Sequence, residues 1–370
     1  MLCNSSSDGY SICRLQLFAI TNDTENVLDD VNYWVNGVFG GTVAITGLIM
    51  NTLTMIILCS MPEWKHMMNY LLTLLLLINN LFLITQVINI LVYNFNVNEL
   101  MMIIPNIVYP MEKTILTMGV FCTIGLAHQA YLITWDHDQY RNMSSSLESL
   151  KKRTLAYAIP IVFISAVINI PRWFSYKLKT NQFNYEKTKT TLKTNFFYIV
   201  YYENFVLNIL TVCVPITLLV FFNWSVHKLI KEWHQGIESS LSTSQLNVSL
   251  GNKESKERKK LAVRSKPQTN ILIIIIFLFI ACNFPRCILK FSDGFPKNMV
   301  IKIMETLGRV LQIAYASATP FIYLTKNTRF RNQLFVLFNK ICLCRRVSSY
   351  EVEEFANTTT EKSKEKLEKP

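Results

Sequence analysis

Charge is scarce in this sequence. Of its 370 residues only 17% are Asp, Glu, Lys or Arg, against about 25% in soluble domains. Hydrophobic residues make up 51% and the mean hydropathy is positive. The scarcity is also local. Residues 33–62, 66–98, 114–135, 154–171, 204–226, 267–285 and 310–325 contain no charged side chain at all. A soluble two-domain chain would break such runs with polar faces, so a water-soluble core is excluded. Other absences narrow the chemistry. The nine cysteines form no CxxC framework, which removes a structural zinc site. No GxSxG nucleophile elbow occurs. No repeat relates the two halves of the chain, which counts against an inverted-repeat transporter. The first 30 residues lack the basic start and apolar stretch of a secretory signal peptide, so the first span is expected to act as its own insertion signal.

What is there is a series of blocks long enough to cross lipid. A hydrocarbon core of about 30 Å takes roughly 20 helical residues, and only helices or closed barrels satisfy their backbone there. The first five blocks meet this directly or nearly so. The sixth and seventh meet it once the flanks around Arg286, and around Glu305 and Arg309, are included. The expected fold class is an all-α membrane protein, a bundle of seven transmembrane helices. The expected spans are 33–60, 67–95, 104–136, 153–174, 198–230, 268–291 and 299–325. Residues 1–32 form a tail before the bundle of 33–326. The Ser-, Lys- and Glu-rich stretch 235–266 reads as a flexible loop. Residues 327–342, "NTRFRNQLFVLFNKIC", repeat Phe330, Leu334, Leu337, Phe338 and Ile341 at helical spacing, a helix lying in the membrane interface. Residues 343–370 are the polar tail.

Lys and Arg collect after the third span, in 230–267 and in 329–346, whereas residues 1–33 carry Arg14 alone against five acids. That bias puts the N-terminus outside the cell. The segment 175–195 dissents, with five lysines against Glu186 on the expected outer side. The net charge of +12 thus belongs to loops facing the inner leaflet, and nucleic acid is not an expected partner. On this topology Asn4 and Asn22 are outer glycosylation acceptors, and Cys342 and Cys344, beside the interfacial helix, are palmitoylation sites.

The densest polar cluster is Asp136, His137, Asp138, Gln139, Tyr140 and Arg141, at the inner end of the third span. Successive helical residues diverge by about 100°, so three in a row cannot converge on one metal, whose helical ligands stand three or four apart. No cofactor, metal or catalytic set is therefore expected, and the chain is not read as an enzyme.

Seven spans, an outer N-terminus, a basic third inner loop and an eighth interfacial helix with cysteines together resemble the rhodopsin-like G-protein-coupled receptors. Local motifs agree. "GLIMNTLTMIIL" resembles the family's first-helix pattern with Asn51 as its polar residue. "MNYLLTLLLLINNLFLI" resembles the second helix, with Asn79 where Asp is usual. "CVPITLLVFFN" and "FLFIACNFPRC" place Pro215 and Pro285 in helices five and six. "ATPFIYLTKNTRF" resembles the seventh-helix Asn-Pro-x-x-Tyr, with Thr319 for Asn, then Pro320 and Tyr323. Within the family, "NYLL", "VYP" (108–110) and "IPRWF" (170–174) are similar to invertebrate FMRFamide-type neuropeptide receptors.

The resemblance implies an extracellular ligand, a peptide, and a heterotrimeric G protein on the inner face. Asp136 to Arg141, with Thr319, Pro320 and Tyr323, would be the inner switch. The chain departs from the family at two places. Its acidic-Arg-Tyr triplet aligns either on Asp136-His137-Asp138 or on Asp138-Gln139-Tyr140, and both lack the central Arg. The usual cystine between helix three and the second outer loop is also missing, since no Cys lies between 123 and 212. That loop must take its shape from packing or pairing.

Ionisable groups in spans are costly, about 2.5–3.5 kcal/mol at the centre, and mark function or a buried pair. On the outer halves these are Glu112, Glu203, Arg286, Lys290, Glu305 and Arg309, with Gln312 close by. Glu305 and Arg309, four apart, could simply pair. Otherwise the set lines an outward-open ligand cavity. Its acids suit a cationic amidated peptide, and the lysine-rich 175–195 suits an acidic ligand. The alternatives are a seven-span transporter or channel, which needs a polar path across the bilayer, and a degenerate receptor that binds but signals weakly.

Overall fold

Where the sequence withholds charge, the chain is helical. The computed structural model describes residues 27, 29–60, 67–95, 107–135, 147–180, 185–244, 271, 273–285, 289, 299–326, 330–336 and 339. Helix α1 runs over Asp29–Ser60, α2 over Met67–Phe95, α3 over Tyr109–Trp135 and α4 over Leu147–Trp173. Helix α5 opens with two π-wound stretches, Tyr198–Val206 and Ile209–Cys213, and continues as a regular helix over Val214–Ser244. Helix α6 spans Ile273–Pro285 and α7 Met299–Lys326. Five of these, α1 to α5, are long and apolar enough to cross a membrane. This is a multi-pass membrane protein folded as a seven-helix bundle. Between α4 and α5, strands β1 (Tyr176–Thr180) and β2 (Tyr185–Lys189) form an antiparallel hairpin, with Tyr176 opposite Lys189 and Lys179 opposite Glu186.

Two segments differ from the sequence reading. Helix α5 continues through Ser244, so the first ten residues of the expected loop 235–266 are helical. Extending an existing helix needs no new nucleus, and Gln235 to Ser244 contains no proline. The lysine-rich 175–195 is a hairpin rather than plain loop, because "YKLKT" and "YEKTK" alternate side chains at the strand period.

Helix α3 is the axis of the bundle and packs on α2, α4 and α5. The most apolar windows of α2 and α3 are 56% buried, against 17% in α4 and 22% in α5. The last two therefore face lipid, with Phe163, Phe205, Phe221 and Trp224 exposed on them. Hydrophobicity cannot hold helices together in lipid, so close approach and interhelical hydrogen bonds must do it. The Asn169 amide on α4 donates to the Thr117 hydroxyl on α3 at 3.0 Å. Gln129 on α3 donates to the Tyr157 hydroxyl on α4 at 2.6 Å, and His128 Nδ1 lies 2.9 Å from the same oxygen. Tyr202 on α5 donates to the Ile168 carbonyl on α4. Thr123 on α3 lies 3.4 Å from the Tyr315 hydroxyl on α7.

Helices α1 and α7 are joined by two hydrogen bonds. The buried Asn51 amide donates to the Ala316 carbonyl at 3.0 Å, and the Ser317 hydroxyl donates to the Val43 carbonyl at 3.2 Å. Gly47 lies between these two bonds. A Cβ there would stand 2.1 Å from Ser317 Oγ and 2.7 Å from Ser317 Cβ. The Asn that the first-helix motif supplies is thus a clamp onto α7.

Residues 323–370 cluster as a second unit. In its described part the buried Tyr323 meets Phe330 edge-on, with centroids 5.7 Å apart. Residues 330–336 are helical, with Phe330 buried and Arg331, Asn332 and Gln333 exposed. Leu337, Phe338 and Ile341 lie outside what is described of their side chains.

Gly47 and Gly41 give a controlled test of the clamp. At Gly41 a Cβ meets only Ile90 Cγ2 at 3.8 Å. Gly→Ala inside a helix is worth about 1 kcal/mol, whereas overpacking costs about 1–3 kcal/mol. Thermal melts of the purified chain should show Gly41→Ala unchanged or stabilised and Gly47→Ala destabilised. Equal melting of the two variants would refute the tight α1–α7 contact.

Candidate ligand-binding site

At the end of the bundle that carries the hairpin, the helices part around a cavity of about 750 Å³. Among the described residues, every helix except α6 brings polar groups to it. Helix α1 supplies Asn32 and Asn36 from its π-wound opening, and α2 supplies Gln86, Asn89, Tyr93 and Asn94. Helix α3 adds Tyr109, Glu112 and Lys113, α4 adds Arg172, and α7 adds Glu305, Arg309 and Gln312. Lys193 reaches in from the short helix after the hairpin, and the consecutive Glu203 and Asn204 from the π-wound start of α5. π-turns often occur at functional sites.

Two of the three acids are individually compensated. Glu112 accepts from Lys113 at 2.6 Å and from the Asn89 amide at 3.0 Å. Glu203 is bonded to Lys193, and both side chains are about 15% exposed. The Lys193 ammonium also lies 5.9 and 6.0 Å from the ring centroids of Tyr176 and Tyr198. Arg172 is buried, with Nη1 donating to the Asn169 side-chain carbonyl at 2.7 Å.

The hairpin reaches the helices without a disulfide. The Thr190 hydroxyl donates to the Phe174 carbonyl at 2.7 Å and closes the hairpin's base. Tyr109 on α3 meets Tyr176 on β1 edge-on, centroids 5.0 Å apart. The Ser175 hydroxyl lies 2.7 Å from that of Tyr198. Burial, and next the Glu203 carboxylate, push the Tyr176 phenol up from its usual range, so it stays neutral at physiological pH.

Of the residues read from sequence as ligand-facing, Glu112, Glu203, Glu305, Arg309 and Gln312 all line this one cavity. Arg286 and Lys290 lie outside the described residues. The Glu305–Arg309 pairing is not made: among the described residues Arg309 forms no ion pair. Asn32, Asn36, Asn89, Asn94, Arg172 and Lys193 were not singled out from sequence. The asparagines clustering at helix ends were a usable signal, whereas Arg172 and Lys193 are brought in by the fold alone.

Elsewhere, Asn51 is buried in the α1–α7 clamp, and Thr319 and Pro320 are buried in α7. Asn79 is buried beside a small void of about 30 Å³ shared with Asn283, Gln312 and Tyr315. Asp136, His137, Asp138, Gln139, Tyr140, Arg141, Asn4, Asn22, Cys342 and Cys344 fall outside the described residues. Among the described residues, no group of His, Cys, Asp and Glu could hold a metal.

A double-mutant cycle tests the compensated pair. Removing one partner of a buried ion pair costs about 3–5 kcal/mol, whereas replacing both is often near neutral. Lys193→Met and Glu203→Gln should each lower the melting temperature more than the double variant does. Additive losses would show that the two groups do not interact.

Known proteins resemble this chain over most of its length. No protein-family model matches it. It is 21% identical over 333 residues to the FMRFamide receptor of Drosophila melanogaster, an alignment covering 85% of this chain and 56% of that protein. The chain thus spans about half the length of the curated relative. The crystal structure of squid rhodopsin superposes with a TM-score of 0.64 at 15% sequence identity, covering 85% of this chain and 87% of that one. Its seven helices carry the fold of the rhodopsin-like G-protein-coupled receptors.

Proposed function

We propose that this chain is a plasma-membrane receptor whose hairpin end and N-terminus face the exterior, where it binds a peptide and signals through a heterotrimeric G protein. The observation that carries the reading is the wide cavity at the hairpin end, ringed by charged and amide side chains from six of the seven helices. Its volume lies within the roughly 300–1,000 Å³ of small-molecule sites. A peptide's end, rather than a folded partner, fits it. The name of the Drosophila relative supports a neuropeptide as that ligand. Ligand binding shifts a helix equilibrium only by its differential affinity for the two states. Helices that contact both the cavity and the α3 axis are suited to transmit it. The inner switch would comprise Asp136 to Arg141 with Thr319, Pro320 and Tyr323. Glycans at Asn4 and Asn22 and palmitate at Cys342 and Cys344 complete the proposed topology.

A transporter or channel needs a polar route through the membrane. Below the cavity the described voids shrink to about 30 Å³ each, lined by Leu116, Val120, Ile216 and Phe279 beside Arg172, Asn79, Asn283 and Gln312. Such spaces hold a water or two and favour a receptor over a conduit.

Cells expressing the full chain with a promiscuous G protein, screened against amidated neuropeptides, test the reading. We expect a peptide response in the wild type, or one gained by His137→Arg or Gln139→Arg, which would also identify the triplet alignment. Solute uptake without a G-protein response in any of the three would overturn it.

A further inference from the structure

The cavity's charges do not balance one another. Among its described lining residues four cations, Lys113, Arg172, Lys193 and Arg309, face three carboxylates. Glu112 is taken by Lys113 and Asn89, and Glu203 by Lys193. Arg172 is left with a neutral partner. It is 7% exposed, its Nη1 donates to the Asn169 carbonyl oxygen, and its Nε is buried without a hydrogen-bond partner.

The guanidinium is also held in place. Asn169 is fully buried and donates both to the Thr117 hydroxyl at 3.0 Å and to the Ser165 carbonyl at 2.8 Å, which fixes its own carbonyl toward Arg172. Thr117 in turn donates to the Lys113 carbonyl at 2.8 Å. The chain of bonds Lys113–Thr117–Asn169–Arg172 therefore ties the cation to both α3 and α4. A buried cation without a counter-ion is expensive. An isolated one that is oriented, and that lines an open cavity, is suited to an anion arriving from solution. Arg offers a planar fork that matches a carboxylate bidentately.

Resting on the receptor reading, we propose that Arg172 is the anion-recognition residue of the cavity and that the ligand carries a carboxylate that pairs with it. The acids Glu112 and Glu203 are then not free docking points for a cationic peptide. They hold lysines that shape the cavity wall, and the ligand's acid completes the pairing that the described residues leave open.

Three dipeptide probes test this on the purified full chain in nanodiscs, read by thermal stabilisation at matched ionic strength. They are acetyl-Asp-Phe-amide, acetyl-Asn-Phe-amide and acetyl-Asn-Phe with a free C-terminal carboxylate. The expected result is that at least one acid-bearing probe binds on the order of tenfold tighter than the neutral one, reflecting a charge-assisted fork. Which acid wins separates a side-chain carboxylate from a free C-terminus. The advantage should vanish in Arg172→Gln, shrink in Arg172→Lys and persist in the distant surface variant Lys228→Gln. Equal affinity of the three probes in the wild type, no binding by any of them, or an acid preference that survives in Arg172→Gln would overturn the proposal. The wild-type comparison and Arg172→Lys decide the matter even if Arg172→Gln does not fold. Acid preference without any peptide-evoked G-protein response would keep the anion site and remove the receptor reading. Peptide-evoked signalling without acid preference would do the reverse.

Discussion

Hydrocarbon offers no hydrogen-bond partner, so every polar group on a spanning helix must find one inside the protein. That constraint organises this structure. Several amides and hydroxyls within the apolar helices are spent on neighbouring helices, Asn51 on α7, Asn169 and Gln129 between α3 and α4, Tyr202 on α4, while threonines such as Thr54, Thr73 and Thr211 bond carbonyls of their own helix. Helix α3, which packs on α2, α4 and α5, is the axis, and α4 and α5 leave their aromatic faces to lipid. The absence of side-chain charge in the middle of the bundle follows from the same cost.

Charge is admitted only where the helices part. At the hairpin end, carboxylates and cations meet around one cavity, and each of two glutamates has its own lysine. The hairpin beside this region has no cystine. Aromatic contact between Tyr109 and Tyr176, with the strand pairing of β1 and β2, holds it instead. An aromatic tie of this kind contributes about 0.5–1.5 kcal/mol beyond burial, less than a typical disulfide at about 2–4 kcal/mol.

Much of this was legible in the sequence because lipid imposes a simple rule on composition. Charge-free stretches located the helices, and the motif around Asn51 marked a residue that proves to be buried against α7. Ionisable residues on the outer halves of the helices gave four members of one cavity, with Gln312 beside them, since burying them anywhere else would be costly. What sequence did not give depends on which turns face each other. Lys193 reaches Glu203 only because the hairpin and the π-wound start of α5 bring them together. Arg172 reads as the close of a helix in "IPRWF", and its isolation appears only once, among the described residues, Glu112 and Glu203 are found paired with lysines. The hairpin itself was obscured by its lysines, which carry more weight in a charge tally than the strand-period alternation beneath them.

The direction in which the bundle crosses the membrane decides whether the cavity can meet an extracellular ligand at all. An epitope inserted between Thr180 and Tyr185, compared with one inserted after Ser244, reads it directly by antibody staining of cells before and after permeabilisation. The account predicts that the hairpin epitope is stained on intact cells and that the epitope after α5 is stained only once the membrane is opened. The reverse pattern, or staining of both on intact cells, would contradict it.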